Sequence, residues 1–174
     1  MTISDDLRDP AQVAPTFTKV ICIAPDAAIP GAYSVESAGT LPGNAHATAI
    51  MKQIERGERK PLPPRKNPFD LTIKAATKIV FHLDEANWFF TDAQMRLKDG
   101  SSNDTPNPGG GINREFGSLG WVNDNGSDRQ KTISIVDTWR RMETFEYGLF
   151  LIIKQGNMEV KIEVDPQIIN EDGD

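Results

Sequence analysis

One cysteine, Cys22, and two histidines, His46 and His82, are all that 174 residues supply of the side chains that most often build disulfides, thiol nucleophiles and zinc sites. A single thiol excludes an internal disulfide. Its setting in "KVICIA" shows no basic or His-containing surround, so it reads as a buried, inert thiol. Two imidazoles cannot make a three-ligand zinc site without grouped carboxylates, and the sequence groups none. The apolar runs are short as well. The longest, "YGLFLII", is far below the ~20 residues that span a bilayer. The opening residues "MTISDDLRDPAQVAP" lack the apolar centre of a secretory signal, so the expectation is a cytoplasmic protein with no membrane partner. Phosphate-loop and hydrolase signatures are missing too: no Gly-Lys-Ser/Thr and no G-x-S-x-G elbow occurs.

What is present describes an ordinary globular chain. Apolar residues make up 38% and charged residues 25%. A single domain of this length buries roughly 70% of its unfolded surface and needs no metal or disulfide to fold. The net charge is −6. Residues 52–66 nevertheless carry an excess of four positive charges: Lys52, Arg56, Arg59, Lys60, Arg65 and Lys66 against Glu55 and Glu58. The rest is therefore more acidic still. That argues against a nucleic-acid partner, which requires many phosphates to be neutralised. The basic stretch reads as a solvated linker.

Periodicity predicts a mostly β chain with one helix. Residues 1–15 read as a disordered tail, and 171–174 as an acidic tail. The run "FTKVICIA" (17–24) predicts a strand buried on both faces. The following "PDAAIPGAYSVESAGTLPGN" reads as an irregular excursion. Asn44 is placed as an N-cap and Gly57 as a stop, with Ile50, Met51 and Ile54 as one stripe of a helix over 44–57. Residues 58–70 read as a stiff, exposed, proline-rich connection. In "TKIVFHL", Ile79, Phe81 and Leu83 point one way and Val80 and His82 the other. "WFFTDAQMRLK" predicts a half-exposed strand with Phe89, Thr91, Ala93, Met95 and Leu97 on one face, Phe90 and Gln94 on the other, and an exit turn at Asp99-Gly100. "KTISIVD" alternates Ile133 and Ile135 with polar partners.

The clearest signal is "FEYGLFLIIKQGNMEVKIEVD". Phe145, Tyr147, Leu149, Leu151 and Ile153 form one strand face, and Gln155-Gly156-Asn157 reverses the chain. Met158, Val160, Ile162 and Val164 then form the inner face of the return strand, while Glu159, Lys161, Glu163 and Asp165 face water. Phe150 and Ile152 break the rule on the first strand's other face. That predicts a cover there, either another element such as the helix or a partner chain. The fold expected over residues 16–170 is thus a single antiparallel β-sandwich with one short amphipathic helix and long irregular loops.

The ending "MEVKIEVDPQIIN" resembles the close of a class of small uncharacterised bacterial β-sandwich proteins, whose last strand runs into Asp-Pro and then an Ile-x-Asn-like tail. Val164, Asp165, Pro166, Ile168, Ile169 and Asn170 carry the likeness, which extends over the second half of the chain. It implies the fold class and no activity.

Three further patterns bear on ligands. "NPGGGINREFG" (107–117) lacks the third glycine of a dinucleotide loop, since Arg114 stands there. It reads as a flexible loop, with Arg114 a weak anion contact. "NDNGSD", with Asp124 and Asp128, is rich in oxygen ligands but does not match the EF-hand pattern, and reads first as a turn and second as a calcium site. Trp88, Trp121 and Trp139 stand at strand–loop boundaries beside polar groups. Trp88 and Trp121 with Asn123 would suit a glycan plate; the alternative is that each ring caps the core. The reading that remains is a non-enzymatic binding or assembly protein without cofactor. It would work through protein contacts, as a homo-oligomer or on a partner, with Phe150 and Ile152 at the interface. A glycan- or calcium-binding module comes second and an enzyme last.

Overall fold

The computed structural model describes residues 13–29, 32–62, 69–98, 115–123, 125–126, 129–140, 142–164 and 167–172. The elements run β1 (Phe17–Pro25), β2 (Tyr33–Pro42), α1 (Ala47–Arg56), β3 (Lys60–Pro61), β4 (Leu71–Ile73) and β5 (Thr77–Leu83). They continue with β6 (Trp88–Lys98), β7 (Phe116–Trp121), β8 (Thr132–Asp137), β9 (Thr144–Gln155), β10 (Met158–Val164) and β11 (Gln167–Asn170).

Two sheets pack face to face. The first has six strands in the order β3-β2-β1-β5-β8-β7. The second has the long β9 at its centre. β6 lies along one side of it, while β10 and then β11 share the other, and β4 pairs with β11. Most pairings are antiparallel, but β1–β5 and β4–β11 are parallel, which alternation alone did not predict.

The core between the sheets is built from inward positions at period two: Ile21 and Ile23 on β1, Ile79, Phe81 and Leu83 on β5, Ile133 and Ile135 on β8, and Phe145, Tyr147, Leu149 and Leu151 on β9. The inward sets read from "TKIVFHL" and from the first hairpin strand are those observed. β8 departs from its expected alternation, since Thr132, Ser134 and Asp137 are buried along with its isoleucines.

A third layer lies outside the six-stranded sheet. Helix α1 lays Ile50 and Ile54 onto Val20, Cys22, Ala38 and Val80, which explains why β1 is buried on both faces. The helix begins later than 44. Its N-cap is His46, which makes no side-chain cap bond, whereas Asn44 accepts a hydrogen bond from Lys78 Nζ at 3.2 Å. Gly57 does end the helix, but at φ −66 it needs no left-handed freedom. What it needs is room, because a Cβ there would fall on the Ala38 carbonyl oxygen.

Several expectations are corrected. The "irregular excursion" contains β2, nine of whose ten residues pair with β1, a register shift between Val20 and Ile21 leaving Ala38 without a cross-strand partner there. That shift and the positive φ of Gly39 obscure the alternation. The proline-rich connection holds β3, and Phe69 near its end is 3% exposed, with Tyr33 against it edge-on. Phe116 and Gly117, the end of the segment read as a flexible loop, begin β7, which among the described residues is an edge strand and so tolerates glycines. In β6 a bulge between Phe90 and Met95, with Gln94 at φ 65, brings both residues into the core at 0% exposure. They therefore share a face, contrary to a strict period of two.

The return strand β10 is the last correction. Its pairing places Val160 opposite Ile153 and Val164 opposite Leu149, so the inner face is the predicted one. Nevertheless Met158 is 66% and Val160 40% exposed. The tip of the hairpin thus overhangs the core, with no described residue covering it. Residues 1–12, the Asp99-Gly100 turn, the triple glycine, Asp165 and the final two residues of the acidic tail lie outside the described residues.

Candidate functional site

The described residues singled out for ligand binding stand on different elements. Trp88 is a core residue of the five-stranded sheet at 8% exposure, its ring edge-on to Tyr33 at 5.6 Å. Trp121 is half-buried at the end of β7 in the other sheet, with Asn123 two residues on. Trp139 rests against the core and donates its indole N–H to Glu171 O at 2.8 Å. Arg114, Asp124 and Asp128 lie outside the described residues, among which no three His, Cys, Asp or Glu side chains come together as a metal site.

Two polar constellations emerge that sequence spacing did not show. The parallel register of β1 and β5 sets Cys22 beside His82, with Thr132 next in line on β8. The thiol is not activated by this neighbour. Burial, its largest influence, pushes it up to about 11, beyond what Arg59 offsets. His82 Nδ1 is engaged at 2.7 Å with Thr132 Oγ1. Cys22 is buried as expected, but the expectation of no basic or His-containing surround is corrected, since His82 stands beside it and Arg59 is within electrostatic reach.

The second constellation ties the two sheets together at one end. Glu115 Oε1 accepts from Arg140 N–H at 2.7 Å and from Asn170 Nδ2 at 3.0 Å. The same Asn170 amide donates to Asp137 Oδ1 at 3.1 Å, which also accepts from Trp139 N–H at 2.9 Å. Burial raises Asp137 to about 8. The nearby Glu115 adds to the rise, and the bonds from Trp139 and Asn170 oppose it. Asp137 is accordingly protonated at neutral pH. Both acids are 0% exposed, so the pair acts as a knot between β7, β8 and β11 and offers no carboxyl to a substrate. Asn170 was legible in the "PQIIN" ending. Glu115, inside a glycine-rich segment, carried no signal.

Part of the exposed apolar surface lies elsewhere, on the five-stranded sheet. Phe150 and Ile152 are half-buried on its outer face, where their cross-strand neighbours are Glu163 and Lys161. α1 does not cover them, because it lies on the other sheet; the helix alternative is thus withdrawn. Phe89, opposite Ile152, lies beneath Lys131 Nζ at 4.1 Å and Lys154 Nζ at 4.7 Å from its centroid. Lys131 also donates to the carbonyls of Glu85, Ala86 and Trp88, which closes the turn before β6.

A shallow groove of about 350 Å³ runs over this face, lined by Thr91, Ala93, Phe150, Lys161 and Glu163. β10 bounds it. Among the described residues that strand pairs with β9 alone, and it carries the exposed Met158 and Val160 on its other face. No described helix is long and apolar enough to cross a membrane. No protein-family model matches the chain, and no curated protein matches it.

Proposed function

We propose that the chain is a non-enzymatic assembly protein that pairs with a second copy of itself through the free edge of β10. The observation that supports this is an edge strand with two exposed large apolar residues, Met158 and Val160, among charges of alternating sign. Natural edges are normally blunted by charge. Here the charges are self-complementary. An antiparallel β10–β10 pair with a two-fold axis at Val160 sets Glu159 opposite Lys161 twice. It also sets Met158 opposite Ile162 on the apolar face. Moving the axis to Lys161 sets lysine on lysine and Glu159 on Glu163, which repel. Moving it to Ile162 draws on Glu163, already held by Arg96 at 2.6 Å. The register at Val160 is the one that uses free charges.

Sedimentation of the wild-type protein at tens of micromolar should show a dimer. Glu159→Lys should give a folded monomer, because it places like charges opposite one another twice. The paired swap Glu159→Lys with Lys161→Glu should restore the dimer. A monomeric wild type sinks the reading. A dimer that Glu159→Lys leaves intact, but Phe150→Glu dissociates, moves the interface to the outer sheet face.

A further inference from the structure

A second opening lies at the end of the sandwich where the chain crosses from β4 to β5. It is a groove of about 410 Å³ between the sheets, with Phe17, Lys19, Thr40 and Thr77 on the six-stranded side and Ile73 and Lys74 on the other. That volume falls within the range of small-molecule sites. Its rim is fixed by backbone bonds, Thr16 N–H to Ala76 O at 2.7 Å and Gly43 N–H to Thr16 O at 2.8 Å. Thr77 Oγ1 donates to Ala75 O at 2.8 Å, so the crossing loop is braced from within.

Lys19 is the odd residue here. It occupies an inward position of β1, in phase with the core residues Ile21 and Ile23. Its neighbours across the pairings are Thr40 and Ile79, neither of them acidic. The half-buried ammonium makes no hydrogen bond or ion pair among the described residues, and burial lowers its pKa. An ammonium drawn toward a core without a counter-charge costs stability. Phe17, 43% exposed, stands beside it as an apolar wall.

We propose that this mouth binds a small amphipathic carboxylate, its head group between the Lys19 and Lys74 ammoniums and its apolar body against Phe17 and Ile73. A carboxylate supplies the missing counter-charge, and the apolar walls select against a bare inorganic anion. The proposal does not depend on β10.

Octanoate is the probe, titrated by calorimetry, with octanol and sulfate as comparisons. The wild type should bind octanoate saturably at one site and show no saturable binding of octanol or sulfate. Lys19→Met, which keeps the aliphatic stem, should weaken octanoate by at least about tenfold. Without ligand it should also melt above the wild type, because an uncompensated charge has been removed. Lys19→Arg should retain binding. The monomeric Glu159→Lys protein should bind as the wild type does, which separates this site from the dimer. Octanoate binding unchanged in Lys19→Met overturns the proposal. So does an absence of saturable binding at millimolar octanoate, or a Lys19→Met protein that melts lower without ligand.

Discussion

On the six-stranded sheet the outward residues Val20, Cys22 and Val80 lie under α1, whereas on the five-stranded sheet the outward Phe89, Phe150 and Ile152 lie under no described element. The two faces differ in their chemistry accordingly. The patch under the helix is small and apolar, and it accepts two isoleucines from α1. The bare face alternates rings and branched chains with Lys161, Glu163 and Arg96, whose aliphatic stems shade the apolar atoms while their charges stay wet. A helix with only two buried residues can close a strip one or two strands wide, and no more. Apolar residues facing out of a strand therefore do not by themselves call for a cover. Those on β9 have cross-strand charged neighbours, and the overhanging tip of β10 has neither.

The largest difference expected between the faces is in side-chain truncation. Ile50→Ala, on the sheet-facing side of α1 at 0% exposure, should cost about 2–5 kcal/mol. Ile152→Ala, on the bare face, should cost under about 1 kcal/mol in dilute monomer. Urea titrations of the two proteins decide this, and equal losses would show that the second face is covered after all. Gly57→Ala tests how closely the helix is drawn onto β2. Its new methyl meets the Ala38 carbonyl, so a loss of about 1–3 kcal/mol is expected, despite the smaller conformational freedom of the unfolded chain.

A third test concerns the knot at the end of the sandwich. Asp137 is raised from 3.8 to about 8 in the folded state, so between these values the folded protein holds a proton that the unfolded chain has released. Its contribution is fully present below about pH 3.8 and is lost as pH rises through about 8. Asp137→Asn keeps an oxygen for Trp139 and Asn170 and removes the titration. The variant should match the parent near pH 4 and exceed it at pH 8 when denaturation midpoints are compared. A variant that is less stable than the parent at pH 8 would show that Asp137 works as a carboxylate. The smallest effect is expected at the overhang: Val160→Ala should change monomer stability by under about 1 kcal/mol, well below Ile50→Ala, because 40% of the side chain is already in water.

How much of this was legible depended on whether the signal was local. The register of the hairpin from Phe145 to Val164 could be read, because the inward set on the first strand, the alternation on the return strand and a Gly156-Asn157 turn leave one pairing. β2 could not be read, since a bulge and the opening for Gly39 interrupt the pattern and its partner lies beyond a loop. Phe90 and Met95 were misassigned for the same reason: a bulge adds residues that a count of two cannot anticipate. The acid knot was invisible because Glu115, Asp137 and Asn170 are joined only by folding. Lys19 appeared as one lysine in a buried run until the sheets placed it at an open end.

By itself the sequence determined a mostly β chain with a short amphipathic helix, and the inward sets on β5 and β9. Each of these rests on side-chain spacing over a few residues, which the backbone geometry of strand and helix converts directly into faces. Tertiary structure alone decided that β1 and β5 run parallel, that α1 covers the first sheet and leaves the second bare, and that the tip of β10 overhangs. Those outcomes depend on which distant segments meet and how far each extends past its neighbour, and no local period encodes that.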